Sequence, residues 1–253
     1  MARSYLDEAI VLHRRPHGEA DRVVTLLTKE HGKQTVIARG VRKPQARNAA
    51  GLDLFAHSNV ELMPGRGFTV LIRAQNLDEV WPTADLERTA CLSVLCEAVG
   101  AATSEGLEAP EVFDLALTAK EQMRDPANPP EATLLAALLQ LGEVVGYKPE
   151  LDDCYLCNHP VNDNAQWFVP SQGSVIHGQC RTLETRAMRC VPGAIPLLRS
   201  VASGVPAKPG DETVTYDGIR LLTSHLAYQL DHRFHSVVLL SELAKDQPVA
   251  VSI

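Results

Sequence analysis

The sequence lacks the marks of the commoner catalytic classes. No Walker phosphate-binding loop is present, and neither Gly-x-Ser-x-Gly nor His-Glu-x-x-His occurs. Gly65-Arg66-Gly67 is missing the third glycine and the following helix of a dinucleotide fingerprint. These gaps weigh most against an ATP-driven motor, which needs a phosphate cradle, and the expectation is that the protein is not an enzyme. No apolar run approaches the length that crosses a bilayer, so no membrane partner is expected. Arg3, Asp7 and Glu8 stand where a secretory leader would need its apolar stretch, which makes the cytoplasm the expected location. In a reducing compartment, six cysteines read as metal ligands or thiols before disulfides.

What is present is enough for a folded protein: 253 residues with 45% hydrophobic content can build a real core in one large domain or two ordinary ones. The net charge of −7 would argue against a nucleic-acid partner if it were evenly spread. It is not. Residues 1–80 hold 12 Lys or Arg against 9 Asp or Glu, whereas the remainder holds 12 against 22. Arg14, Arg15, Arg22, Lys29, Lys33, Arg39, Arg42, Lys43 and Arg47 face only Glu19, Asp21 and Glu30 between positions 13 and 47. A local basic surface binds phosphate even in an acidic chain.

The first eighty residues read as five short strands, over 9–13, 23–28, 34–38, 60–63 and 69–77, separated by turns at His31-Gly32 and Pro64-Gly65-Arg66-Gly67. In the last strand, Val70, Ile72 and Ala74 alternate with Leu71, Arg73 and Gln75. Five strands in so short a span suggest a small barrel of OB-fold type. After Trp81-Pro82 the period becomes helical, with Thr83 as a cap and an apolar, buried helix running to about Ala102. Helices over 109–123 and 131–145 follow, split by the breaker-rich 125–130 segment. A late helix over 213–234 carries Ile219, Leu222, Leu226, Leu230 and Phe234 on one stripe. The fold class is therefore α+β: an OB-fold barrel over 1–80, then an all-α domain over 81–253.

Within that second domain, Cys154-x-x-Cys157, nineteen residues, and His177-x-x-Cys180 form the sharpest motif. Two such pairs offer four donors to one tetrahedral Zn²⁺, a closed structural site embedded as a zinc finger at about 150–182. Buried thiols beside an unrelated histidine are the bland alternative, and a redox Cys-x-x-Cys is another, though the flanks lack the strand-then-helix setting that motif needs. Cys190 is an alternative to His177 as fourth ligand, although only His177 keeps the spacing. Cys91 and Cys96 read as core residues, and His225, His232 and His235 lack the carboxylate spacing of a second metal site.

The basic residues of the barrel form the other constellation. Arg39 to Arg47 is poor in apolar residues and reads as a flexible loop whose cations follow a phosphate backbone. Arg14, Arg15, Arg22, Lys33, Arg39, Arg42, Lys43, Arg47 and Arg66 are the candidate DNA contacts. Tyr5, Phe55 and Phe68, the barrel's only Tyr or Phe residues, read as core, with base stacking as the alternative.

Several of these segments resemble the bacterial RecO family of recombination mediators. The resemblance is carried by Glu8 to Leu12 and Gly18 to Thr28, by His31-Gly32-Lys33, Ala38 to Arg42 and Gly65-Arg66-Gly67, and then by Gly146-Tyr147, Cys154-x-x-Cys157 and Phe168-Val169-Pro170. It runs to about Cys180 and is looser beyond. It departs from the family at His177, where most zinc-bearing members carry Cys. The resemblance implies binding of single- and double-stranded DNA and annealing of complementary strands without ATP. It also implies engagement of the C-terminal tail of single-strand-binding protein, work with RecR, loading of RecA and an association with the nucleoid. A different reading is an RNA- or DNA-binding OB-fold module of transcription or translation. A metal-dependent enzyme or a pure interaction scaffold fits less of the sequence.

Overall fold

The computed structural model describes residues 3–79, 81, 84–163, 167–182, 186–207 and 212–246, with side chains described as far as Leu243. Thr83, read as a helix cap, lies outside the described residues. Two compact units emerge, one of residues 1–84 with 99–120 and the other of 85–98 with 121–253.

In the first unit, strands β1 (Tyr5–His17), β2 (Asp21–Thr28), β3 (Gly32–Ala38), β4 (His57–Met63) and β5 (Thr69–Asn76) close a barrel in the order β1-β2-β3-β5-β4. This is the OB-type barrel expected from the strand count. All pairings are antiparallel except β3 with β5. Ala9, Val11, Val24, Leu26, Val36, Leu52, Val60, Leu62 and Leu71 fill the interior. The period-2 side-chain pattern puts the strand residues there, and Leu52 comes from the short helical turn Ala50–Leu52.

Two bulges break that period. Val11 pairs with Leu26 and His13 with Thr25, which leaves Leu12 as the extra residue in β1. On β5, Leu62 pairs with Leu71 and Glu61 with Arg73, so Ile72 is extra. The expected alternation along β5 therefore fails: Leu71 and Ala74 are buried while Ile72 and Arg73 are both exposed. A bulge is a pairing property, and the sequence of one strand does not encode it.

The barrel's outer face is also covered, since Ile10, Leu12 and Leu27 are buried although they lie outside the interior cluster. The 99–120 segment belongs to the same unit, and a Cβ at Gly100 would lie 3.7 Å from the Leu12 side chain. Gly32, at φ +64°, opens β3 where an added Cβ would fall 1.7 Å from the Leu107 carbonyl oxygen, so only glycine fits this close approach. Lys120 is buried and ion-paired with Asp78.

Helices α1 (Leu86–Ala102), α2 (Pro110–Arg124) and α3 (Pro130–Val144) lie where the periodicity puts them, and α1 is buried along Ala90, Cys91, Leu92, Val94 and Leu95. Then comes a small sheet that the polar composition of this stretch concealed: β6 (Glu150–Cys154), β7 (Trp167–Val169), β8 (Ser174–Val175) and β9 (Met188–Arg189), ordered β6-β8-β7-β9. Helix α4 (Ala194–Ala202) was not foreseen either, because Pro196 falls in its first turn, where proline is tolerated.

The late helix α5 (Glu212–Gln229) stops short of the predicted Phe234. Asp231 takes a left-handed conformation at φ +46°, and the His232 N–H bonds the Ala227 carbonyl at 3.0 Å, which is a Schellman ending built on Asp in place of the usual Gly. A separate helix α6 (Ser236–Asp246) follows. No helix among the described residues is long and apolar enough to cross a membrane.

Candidate nucleic-acid interface and metal centre

The metal centre is built by the small sheet. Cys154 ends β6, and the tight turn after it, closed by the Asn158 N–H on the Cys154 carbonyl at 2.8 Å, returns Cys157 to the same point. Asn158 sits at φ +56°, a left-handed position that asparagine tolerates. His177 and Cys180 come from the short turn after β8, where the Cys180 N–H bonds the His177 carbonyl at 3.0 Å. The ligand atoms of Cys154, Cys157, His177 and Cys180 all lie within 4.8 Å of one another. Cys190 is not in this group; it is buried, its sulfur faces the Met188 carbonyl, and burial pushes its thiol up to about 12. Among the described residues the fourth member of the cluster is thus His177, the residue that keeps the spacing.

The electrostatics suit a cation. Burial alone would raise the Cys154 thiol, but the backbone N–H groups of His177, Cys157 and Leu156 aim at the sulfur and bring it down to about 6. Cys180 moves the other way, to about 11, through desolvation, hydrogen bonds to Cys157 and Cys154, and the negative charge of those neighbours. Three thiols around one point cannot all ionise cheaply without a positive ion among them, so this donor set fits a metal. His177 presents Nδ1 to the Cys157 sulfur at 3.4 Å and holds Nε2 3.3 Å from the Pro160 carbonyl. A ligating histidine is oriented in this way, with one nitrogen inward and the other on a carbonyl.

Arg199 of α4, unmarked in the sequence reading, secures the same subdomain. Its guanidinium donates to the carbonyls of Leu151, at 2.6 and 2.9 Å, and Val161, at 2.7 Å, and pairs with Asp152 and Asp163. The other histidines considered as ligands are structural: His225 lies between the carbonyls of Pro170 and Tyr147, and His232 pairs with Glu97 at 3.1 Å.

The cations of the barrel fall into three groups. Arg14, Arg22 and Arg42 are close enough to act on one another. Burial first, and then repulsion from Arg14 and Arg42, hold the Arg22 guanidinium below its ordinary value, while Asp53 opposes the shift. Arg14 is ion-paired with Asp53, and Arg42 donates to the Gly18 carbonyl at 3.0 Å. Lys33 is turned to its own unit: its ammonium donates to the carbonyls of Gly100, at 2.6 Å, and Thr103, and burial lowers its pKa.

Arg15, Arg39, Lys43, Arg47 and Arg66 are exposed, and their side chains make no hydrogen bond or ion pair among the described residues. The Arg39 to Arg47 loop is a run of turns pinned at both ends. Gly40 donates to Asp21, Val41 is buried in the barrel core, and Asn48 bonds Ile72 and Ala74 at 3.2 Å each.

Of the three aromatic residues read as core, Phe55 is buried, and Tyr5 is partly so, with its ring 4.2 Å from that of His31. Phe68 is 62% exposed, which overturns its reading as core. Arg73, absent from the candidate set, is exposed on β5 beside the bulge.

Comparison with known proteins decides the family. Residues 1–79 match the family model described as Recombination protein O N terminal, and residues 83–237 match Recombination protein O C terminal. The chain belongs to the RecO family. A DNA repair protein RecO of Heliobacterium modesticaldum is 32% identical over 213 residues, covering 82% of this chain and 77% of that protein. The RecO chain described here thus has a general role in DNA repair and recombination, and the resemblance read from Gly18 to Arg22 and the Cys-x-x-Cys pair holds. The RecO matches reach to residue 237, well beyond Cys180, where the motif resemblance faded.

Proposed function

We propose that this RecO protein binds single- and double-stranded DNA without catalysis and pairs complementary strands by electrostatics. The observation that carries this reading is the set of exposed cations on one OB-type barrel, Arg15, Arg39, Lys43, Arg47 and Arg66, with no protein partner among the described residues. Cations that follow a phosphate backbone release condensed counterions and reduce repulsion between two strands, so pairing nucleates without nucleotide hydrolysis. Residues 1–80 are the DNA-binding domain of this reading, and residues 81–253 carry the metal finger. Arg14, Arg22 and Arg42 shape the local potential. Lys33 belongs to the candidate set too, with its ammonium turned inward.

The metal is Zn²⁺, one per chain and structural. Four protein donors leave no coordination position for a reacting water, and three sulfurs with one imidazole match zinc's preferences. When bound it neutralises the thiolates and supplies folding energy to a subdomain with little core of its own. The family resemblance extends the reading to RecR, to the tail of single-strand-binding protein and to RecA loading in the cytoplasm.

The test is the salt dependence of DNA binding. Arg39→Gln with Lys43→Gln is expected to weaken binding and reduce the slope of log K against log salt by roughly one unit per lost contact. An unchanged slope would place the surface elsewhere. Tighter binding of matched RNA than of DNA would favour a module of transcription or translation.

A further inference from the structure

Phe68 closes the hairpin between β4 and β5, after Pro64-Gly65-Arg66-Gly67, and 62% of it is exposed. Its ring makes no aromatic or cation contact among the described residues. The hairpin is tight under it: a Cβ at Gly65 would lie 2.4 Å from the Phe68 carbonyl oxygen, so glycine there lets the two backbones approach. Exposed Met63 precedes the hairpin, and exposed Ile72 and Arg73 follow it on β5, with Arg66 at its tip. The surroundings are thus apolar and cationic, with the half-buried Glu61, paired across from Arg73 and bonded to the Ser4 hydroxyl, as the one carboxylate of these two strands.

This hairpin is also joined to the basic loop. Asn48 accepts from the Ala74 N–H and donates to the Ile72 carbonyl, both at 3.2 Å, which lays the loop residue next to Arg47 along the bulge of β5. The bulge is what leaves both Ile72 and Arg73 outside the barrel. Arg47, next to Asn48, and Arg73 therefore flank one bulge, and Arg66 sits in the hairpin that leads into β5.

We propose that the β4–β5 hairpin is a base-stacking station for single-stranded DNA, in which one unpaired base lies on the Phe68 ring while Arg66, Arg73 and Arg47 hold the flanking phosphates. The proposal rests on the DNA-binding reading above. It assigns strand selectivity to this hairpin and shared phosphate affinity to the loop. A duplex keeps its base faces covered by neighbouring pairs, so an exposed ring offers it nothing. A single strand has free faces, and every base has one, so such a station accepts any sequence. The positive surroundings favour a polyanion over a neutral or basic protein helix, the exposed ring adds a face on which an unpaired base stacks, and arginine adds stacking and cation–π contact to its charge.

The experiment uses the full chain loaded with zinc. Binding of a single-stranded oligonucleotide and of the matched duplex is measured at one salt concentration for wild type, Phe68→Ala, Phe68→Leu and Phe68→Tyr. Because the ring is exposed, all four proteins are expected to melt alike. Phe68→Ala and Phe68→Leu are expected to weaken single-strand binding by roughly fivefold to a hundredfold, the worth of one stacked base, and to leave duplex binding and both salt slopes unchanged. Phe68→Tyr keeps a ring and should bind like wild type.

The fluorescence of a 2-aminopurine strand, quenched by stacking on wild type, should recover on the Ala and Leu variants. Equal losses for strand and duplex, or no loss with DNA binding intact, would overturn the stacking station and leave the DNA-binding reading standing. Wild type that binds neither form would overturn both. Association of wild-type chains that Phe68→Ala abolishes, with DNA affinity unmoved, would make the hairpin a contact between copies and also overturn the proposal.

Discussion

A buried thiol normally resists ionisation, and Cys154 is buried, yet three backbone N–H groups reverse that preference. The thiolate is thus prepared by the turn geometry before a cation arrives. Cys154→Ser removes the sulfur these groups point at. It is expected to lose zinc and several kcal/mol of stability in the second unit. His177→Cys tests the same centre from the other side: one zinc per chain should remain and thermal stability should hold or rise, because a thiolate replaces the imidazole. Elemental analysis with thermal melts reads both. Full stability of Cys154→Ser, together with absence of zinc from protein purified without chelators, would reduce the four residues to neighbouring thiols. Of His177 and Cys190, both open in the sequence, the fold brings His177 into the cluster and leaves Cys190 buried outside it.

The start of α6 is held from a distant part of the chain. Glu97 of α1 accepts hydrogen bonds from the N–H groups of His235, at 2.9 Å, and Ser236, at 2.8 Å, and from the Ser236 hydroxyl. It does for α6 what a local capping residue does for an ordinary helix. Burial acts to raise the Glu97 carboxyl, but the Ser236 hydroxyl, the two N–H groups and His232 outweigh it and hold the group below its ordinary value of 4.5. A depressed carboxylate contributes stability that is present above 4.5 and is lost as pH falls through the lower folded value. Glu97→Gln is expected to cost about 1 kcal/mol at neutral pH and to flatten the acid dependence of α6. Amide hydrogen exchange in α6 between neutral pH and pH values below 4.5 measures this. Identical profiles for wild type and variant would remove Glu97 as the cap.

At the scale of the whole molecule, each unit has its own interior. The barrel closes on Ala9, Val24, Leu26 and Leu62, whereas Phe168, Val175, Ile176 and Leu198 are buried in the second unit with the metal cluster. Zinc removal should therefore act unevenly. A chelator is expected to lower the melting temperature of the second unit while the basic barrel still binds DNA at moderate temperature. Calorimetry beside a binding assay would check it, and loss of DNA binding in step with zinc would tie the two functions together. Annealing of complementary strands should proceed with the protein present and ATP absent, since the chain has no phosphate-binding loop. An absolute need for ATP in the purified protein would refute that.

The five barrel strands, the first three helices and the Cys154, Cys157, His177 and Cys180 cluster were legible in the sequence, because each depends on local periodicity or on short spacing. Alternation places strand residues on one face, and a two-residue gap between ligands brings a pair to one point through a single tight turn. The tertiary structure decided the rest. It ended α5 at an aspartate in a left-handed conformation, capped α6 from a helix far back in the chain, and turned Lys33 onto the carbonyls of Gly100 and Thr103. It also inserted Ile72 as an extra residue in β5 and left the Phe68 ring exposed to solvent. Each of these rests on a partner distant in sequence or on a register between strands, and neither is written in the residues of one segment.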